Sequence, residues 1–316
     1  MHVPVLLEET LTALAVRPGG SYIDCTLGNA GHASEVLRRA GADGRLLGID
    51  RDREALARAA DRLRGIPGTV VLAHGAHGAL GALARANGFE EVDGVLLDLG
   101  PSSEQLDSSE RGFSFQRDGA LDMRMDPSRG ETAAEWVARL DGAGLTDLFR
   151  RLGEEPRAAA IARAIVRARE RRPVETTAQL AEIVAAASGW RGSRRHPATR
   201  VFQALRMAVN NELGDLEAAL ADGFGLLRPN GRLAAITFES LSDRIVKNGF
   251  AAHAGRLVSL PQGGARWEGE RPAVALVNRH PLVATGAEIE ANPRSRSAKL
   301  RAVRRLTLDE ESRLAA

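Results

Sequence analysis

Two short stretches hold residue types and spacings that could do chemistry. The first is Asp24-Cys25-Thr26-Leu27-Gly28-Asn29-Ala30-Gly31-His32, a G-x-x-G turn between an apolar run and a helical pattern. Glycines at such a strand-to-helix turn let backbone approach a ligand, and the helix start offers free N–H groups. Asp50, about 20 residues further on, is placed to take both hydroxyls of a ribose in a bidentate hydrogen bond. The turn alone reads equally well as ordinary tight β-α geometry; with Asp50 it points to a nucleoside-type ligand. It is not G-x-G-x-x-G, so the dinucleotide fingerprint of a dehydrogenase is not met.

The second stretch is Asp98-Leu99-Gly100-Pro101-Ser102-Ser103, directly after the apolar run Val92–Leu97. In an open α/β sheet, ligands lie beyond the carboxyl ends of the strands, where this polar turn falls. An exocyclic base amine is a poor nucleophile because its lone pair is delocalised into the ring. An acceptor that binds its N–H groups can pull the nitrogen towards tetrahedral geometry and take the departing proton. Asp98 with the Ser102 hydroxyl is suited to that task. A strand-ending Asp also serves as a helix cap or turn residue, and this hexapeptide by itself leaves both roles open.

The elements that must position these residues follow from the hydrophobic pattern. Ser21–Cys25, Arg45–Asp50, Thr69–Ala73 and Val92–Leu97 read as short strands separated by helical stretches such as Ala33–Arg39 and Ala79–Ala86. Strands apolar on both faces and alternating with helices indicate a parallel sheet covered on both sides. From Ser102 to about Asn211 the pattern is helices and loops. Thr176 and Gln179 form a capping-box pair ahead of Leu180, Ile183 and Val184. The alternation then resumes with a helix through Leu227 that ends at Pro229-Asn230-Gly231, and strands at Arg232–Phe238, Ala273–Val277 and Ala298–Val303. The expected architecture is an α/β, Rossmann-like doubly wound sheet formed by 1–103 and 213–316, with an inserted helical domain at 104–212.

Composition narrows the class. The chain has 316 residues, 44% of them apolar and 27% charged, and a formal net charge of +2. No run approaches the ~20 apolar residues of a membrane span, and the start lacks the order of a secretory signal, so a cytoplasmic enzyme with no membrane role is expected. The single cysteine excludes a disulfide framework and a thiolate zinc site. His74 and His77 lack further ligands at metal spacing, so no metal is expected. Nearly all cations are Arg, with Lys only at 247 and 299, so only Arg that clusters without acids argues for a nucleic-acid partner.

The run from Leu96 through Asp107 (LLDLGPSSEQLD), then Glu110–Phe115 (ERGFSF) and Asp118–Asp126 (DGALDMRMD), resembles the ribosomal RNA small subunit methyltransferase H family, the 16S rRNA cytosine-N4 methyltransferases. His196–Arg200, Phe202–Arg206, Asp243–Lys247 (DRIVK), Asn292–Arg301 (NPRSRSAKLR) and the opening His2–Glu9 fit the same family, so the resemblance spans essentially the whole chain. It implies a class I methyltransferase sheet using S-adenosylmethionine. It implies cofactor contacts at Ala30, Gly31, His32, Asp50, His77, Asp98 and Gln105. The implied reaction is methyl transfer to N4 of a decoding-centre cytidine of 16S rRNA within the small ribosomal subunit. For that reaction Asp98 is expected to accept from the target amine, with Ser102 in support.

The chain departs from the family pattern at four places. The family usually has glycine where this chain has Ala30, which is tolerable if its φ is negative and only its N–H is used. It commonly has Arg in place of Asn29 and an aromatic residue in place of His77. Its usual Ser-Phe-His-Ser stretch reads Thr237-Phe238-Glu239-Ser240 here. For the RNA, Asn292–Arg305 holds Arg294, Arg296, Lys299, Arg301, Arg304 and Arg305 with no acid among them, a strip able to neutralise phosphates. A solvated edge strand would show the same pattern. Phe113 and Phe115 read either as packing of the insertion onto the sheet or as a stacking surface for an extruded base. Two other functions fit the same motifs: a methyltransferase aimed at a different target, and a cofactor-binding assembly factor without turnover.

Overall fold

The computed structural model describes residues 4–190, 192, 196–259, 262, 265–268 and 272–315. His2 and Val3 of the opening motif lie outside the described residues. The chain divides into two compact units, one of Met1–Gly100 with Leu213–Ala316 and one of Pro101–Glu212.

The first unit is built on β1 (Ser21–Asp24), β2 (Arg45–Asp50), β3 (Thr69–His74), β4 (Val92–Asp98), β5 (Leu227–Thr237), β6 (Arg256–Ser259), β7 (Ala265–Glu268), β8 (Val274–Leu276) and β9 (Lys299–Arg305). Seven of these form one sheet in the order β3-β2-β1-β4-β5-β9-β8. The pairs from β3 to β5 are parallel, while β9 runs antiparallel to both of its neighbours. Side chains alternate between the faces of a strand, and here both faces are buried. Ile23, Leu47, Ile49, Val95, Leu97 and Leu233 enter one core, together with Leu216, Leu220 and Phe250 from helices Glu212–Leu226 and Ser240–Ala254. Tyr22, Leu46, Leu96, Ala234 and Ile236 enter the other, with Leu11 of helix Leu7–Leu14 and Val36 and Leu37 of helix Gly31–Ala40. This double burial is why the strands are continuous apolar runs.

The second unit has a core of its own. Leu145, Phe149, Ile161, Ile165, Leu180, Val184 and Leu205 meet there, supplied by helices Gly142–Arg151, Ala158–Arg169, Thr177–Ser188 and Ala198–Val209. The Thr176–Gln179 capping box is formed, each residue accepting the other's backbone N–H. Among the described residues, the only β pairing in this unit is the isolated bridge Ala120↔Thr176.

Two local readings need correction. Pro229-Asn230-Gly231 does not stop a helix ahead of a strand; it lies inside β5, which begins at Leu227. The register with β4 jumps from Val92↔Leu227 to Gly94↔Arg232, so the turn-forming residues are taken up as a bulge, with Asn230 at a φ of 66°. The antiparallel pair β6–β7 was not anticipated at all.

Candidate active site

The strand order reverses between β1 and β4, and at such a switch point the flanking helices leave to opposite faces and open a crevice at the carboxyl ends. β1, β2 and β4 all end on aspartate there, at Asp24, Asp50 and Asp98. The Gly28 N–H donates to Asp50 Oδ2 at 2.7 Å, and the Asp52 N–H donates to Oδ1 at 2.8 Å. The Asp98 N–H donates to the Thr26 hydroxyl oxygen at 2.6 Å, tying the tip of β4 to the loop after β1. Thr26 in turn donates its N–H to Asp24 Oδ1 at 3.1 Å. Sequence reasoning missed Asp24 and Thr26 as site residues, although Asp24 ends its strand just as Asp50 and Asp98 end theirs.

Burial raises the carboxyl pKa values. Asp98 is pushed up to about 7 by desolvation and by the Asp24 charge. Asp24 also rises to about 7 through desolvation, partly offset by the Thr26 N–H and reinforced by Asp50. Asp50 rises through desolvation against the pull of its two backbone donors. The site is therefore rich in carboxylate and poor in compensating positive charge. His32 does not supply it, since burial pushes its imidazole down to about 4.

The glycine turn differs from expectation at Ala30. Its φ is +55°, not negative, and its N–H donates to Leu27 O at 2.7 Å inside the turn. That N–H is used internally, so Ala30 serves by shaping the loop. The left-handed conformation is costly for an L-residue. At Gly31 the constraint is packing: a Cβ there would come within 2.5 Å of Pro4 Cγ. Arg58 donates to the Asn29 side-chain oxygen at 2.9 Å and fixes the loop from the helix Arg53–Leu63.

His77 is buried and opens a tight helical turn after β3, on the same carboxyl-terminal edge. Asp215 anchors this turn and the one after β2. A Cβ on Gly78 would lie 2.6 Å from its carboxylate, and Arg51 pairs with it at 2.5 Å. In the second unit, Ser102 and Gln105 cap the helix Ser103–Asp107. Gln105 N donates to Ser102 Oγ at 3.2 Å, and Ser102 N donates to Gln105 Oε1 at 3.0 Å. The Ser102 hydroxyl oxygen thus accepts a backbone N–H, and a hydroxyl also carries a proton to donate. Glu239, in the histidine position of the family pattern, caps helix Ser240–Ala254 by accepting from Leu241 N and Ser242 N, each at 2.6 Å.

The basic strip is less uniform than its sequence. Arg294 and Arg296 are exposed in the short turn Pro293–Ser297. Lys299 donates to Asp243 Oδ2 at 3.0 Å, and Arg301 donates to Asp243 Oδ1 at 2.7 Å. Arg304 pairs with Glu310 at 2.8 Å. The strip's apparent freedom from acids ends once the chain folds. Phe113 is buried, and Phe115 packs beside Phe202 and His196 at centroid distances of 4.9 and 4.8 Å within the second unit. Phe115 therefore packs against the insertion's own core, where packing onto the sheet was expected. Cys25 is buried in the sheet core. Among the described residues no cluster of His, Cys, Asp and Glu could hold a metal, and no helix is long and apolar enough to cross a membrane.

The model of the MraW methylase family matches residues 1–306. The chain is 50% identical over 314 residues to ribosomal RNA small subunit methyltransferase H of Symbiobacterium thermophilum, covering 99% of each chain. It is 49% identical over 308 residues to the protein of the same name from Thermomicrobium roseum, covering 98% of this chain and 94% of that one.

Proposed function

Since the chain belongs to the MraW methylase family, whose members use S-adenosylmethionine, we propose that it methylates N4 of a cytidine in the decoding centre of 16S rRNA, within the small ribosomal subunit. The observation that carries this reading is the placing of Asp24, Asp50 and Asp98 at the switch point, where burial, with the Asp50 charge beside Asp24 and the Asp24 charge beside Asp98, pushes the Asp24 and Asp98 pKa values up to about 7. Such a site favours a cation-bearing nucleoside over an anionic dinucleotide.

The residues present fit the cofactor. Each oxygen of Asp50 accepts one backbone N–H, and each carboxylate oxygen has a second lone pair, which leaves a bidentate acceptor for ribose hydroxyls. Gly31 and His32 begin the helix, whose N-terminal N–H groups face the same edge. By their places in the motif, His77 is assigned to the adenine side and Gln105 to a further cofactor contact. Bound there, S-adenosylmethionine supplies an electrophilic methyl whose C–S bonding pair returns to sulfur as the new C–N bond forms.

Asp98 handles the proton. Its carboxylate accepts an N–H of the target amine, draws the lone pair out of the ring, and takes the proton as the nitrogen is alkylated. A pKa of about 7 makes Asp98 a better base than an ordinary aspartate, and a cationic ligand nearby favours its ionised form. Ser102 is assigned as a supporting donor. Of the basic strip, the exposed Arg294 and Arg296 are assigned to RNA phosphates, together with Lys299 and Arg301, whose charge Asp243 shares.

The test combines nucleoside mass spectrometry of 16S rRNA, with and without the gene, and labelled-methyl transfer to isolated small subunits. N4-methylcytidine should vanish in the deletion strain, and Asp98→Asn should lose roughly a hundredfold or more in rate. Retained N4-methylcytidine would sink the substrate assignment. An active Asp98→Asn variant would sink the base. Cofactor binding without any transfer would favour an assembly factor.

A further inference from the structure

His32 has a capacity that cofactor binding through the helix start leaves unused. Its side chain is only 5% exposed, and its Nε2 lies 3.0 Å from the carbonyl oxygen of Val5. A carbonyl brings no proton to that contact, so Nε2 must carry the hydrogen and donate it. Burial pushes the ring's pKa down to about 4, which keeps it neutral at physiological pH. Nδ1 is then a bare lone pair, and it lies 3.5 Å from Asp98 Oδ2.

Opposite an ionised Asp98, that lone pair meets another lone pair and gains nothing. Opposite an Asp98 protonated on Oδ2, it accepts an O–H···N hydrogen bond after a small closing movement. The other groups around Asp98 do not offer this. Asp24 is a carboxylate that raises the Asp98 pKa by charge alone. Thr26 receives the Asp98 backbone N–H, and the β5 residue in register is the apolar Ile236.

We propose that His32, fixed as its Nε2–H tautomer by the Val5 carbonyl, is a positioning residue that accepts a hydrogen bond from Asp98 once Asp98 has taken the amine proton. The proton ends on Asp98 Oδ2, and Nδ1 stabilises it there. His32 thereby strengthens the base without being protonated itself. The inference rests on the reading of Asp98 as the base, and its test separates the two.

Single-turnover methyl transfer to small subunits is measured across pH for the wild type, His32→Gln, His32→Asn and Asp98→Asn, with S-adenosylmethionine affinity measured in parallel. A Gln side chain keeps an amide N–H for Val5 and loses the Nδ1-like acceptor. An Asn side chain keeps an acceptor close to the Nδ1 position. His32→Gln should lose about tenfold in rate and move the acidic limb to lower pH, with cofactor affinity unchanged. His32→Asn should recover much of the rate and the wild-type limb. A His32→Gln profile that superimposes on the wild type, or a loss confined to cofactor affinity, overturns the proposal, as does an equal loss in both variants with the limb unmoved. An inactive Asp98→Asn beside an unchanged His32→Gln rejects His32 alone, whereas an active Asp98→Asn rejects the base itself. Nitrogen-15 NMR of histidine-labelled wild-type protein adds a readout independent of folding in the variants: Nε2 should be protonated and Nδ1 bare, and an Nδ1–H tautomer would overturn the proposal.

Discussion

Ala30 carries a conformational cost in the loop where the cofactor reading begins. With φ at +55°, its Cβ crowds the backbone, a cost of roughly 1–2 kcal/mol for an L-residue. Glycine would relieve this but surrender roughly 0.5–1 kcal/mol through its greater freedom in the unfolded chain. Ala30→Gly should therefore raise the urea midpoint by an amount worth up to about 1 kcal/mol, with cofactor affinity intact because the Ala30 N–H already serves Leu27. A fall in stability would show that the Ala30 methyl, fully buried in the core beside Ala33, is worth more than the strain. Asp98 carries a cost of a different kind. Its folded pKa of about 7 lies above the ordinary 3.8, so between those values the folded state binds more protons than the unfolded one. Stability must then fall as pH rises through that window. Asp24 adds to the same trend. Asp98→Asn should raise the melting temperature of the cofactor-free protein at pH 8, by the equivalent of about 2 kcal/mol, and have little effect at pH 4. A stabilisation equal at both pH values would show that ionisation is not its source.

Between elements, Asp243 makes the connection that the family motifs conceal. It lies in the first turn of helix Ser240–Ala254 and receives both Lys299 and Arg301 from β9. The DRIVK and NPRSRSAKLR motifs are thus partners in space. The two cations, Arg301 first, hold the Asp243 carboxyl below its usual range against the opposing effect of burial. The contribution of this pair is present at neutral pH and is lost as pH falls through the lowered pKa. Asp243→Ala would leave the mostly buried Arg301 without its acid and should cost about 2–3 kcal/mol in denaturant unfolding, while Lys299→Ala, at a more exposed pair, should cost under about 1 kcal/mol. Equal costs would contradict this division. The same pairing shows where sequence reading stops. β1 to β4 were legible because double burial writes itself as apolar runs between glycine-rich turns, and Asp50 and Asp98 were legible as the residues that end such runs. That an acid 56 residues away would neutralise Lys299 is not a local pattern. Nor is the sign of φ at Ala30, or the absorption of Pro229-Asn230-Gly231 into a bulge, since these residues most often mark a turn. The β6–β7 segments, Arg-Leu-Val-Ser and Ala-Arg-Trp-Glu, are too short to show a period.

For the whole molecule, a formal charge of +2 over 316 residues provides little long-range attraction. RNA affinity must then come from local concentrations of cation, and folding redistributes those. Arg301 and Arg304 are committed to Asp243 and Glu310, and Lys299 shares Asp243 while staying partly exposed. Arg294 and Arg296 are exposed in the turn that precedes β9. Each phosphate contact releases condensed counterions, so its loss lowers the salt dependence of binding by roughly one unit of slope and weakens all RNA sequences alike. Replacing Arg294 and Arg296 together by Ala should therefore weaken binding to small subunits at low salt and flatten the plot of log affinity against log salt by about two units. The effect should fade near 0.5 M salt as the counterion term shrinks, and cofactor affinity should not change. Lys299→Ala should flatten the slope by less, because its charge is already half spent on Asp243. If the double variant keeps the wild-type slope, these arginines are solvated surface and the RNA must be held elsewhere. A flattened slope with lower affinity for only one RNA sequence would instead indicate contact with bases.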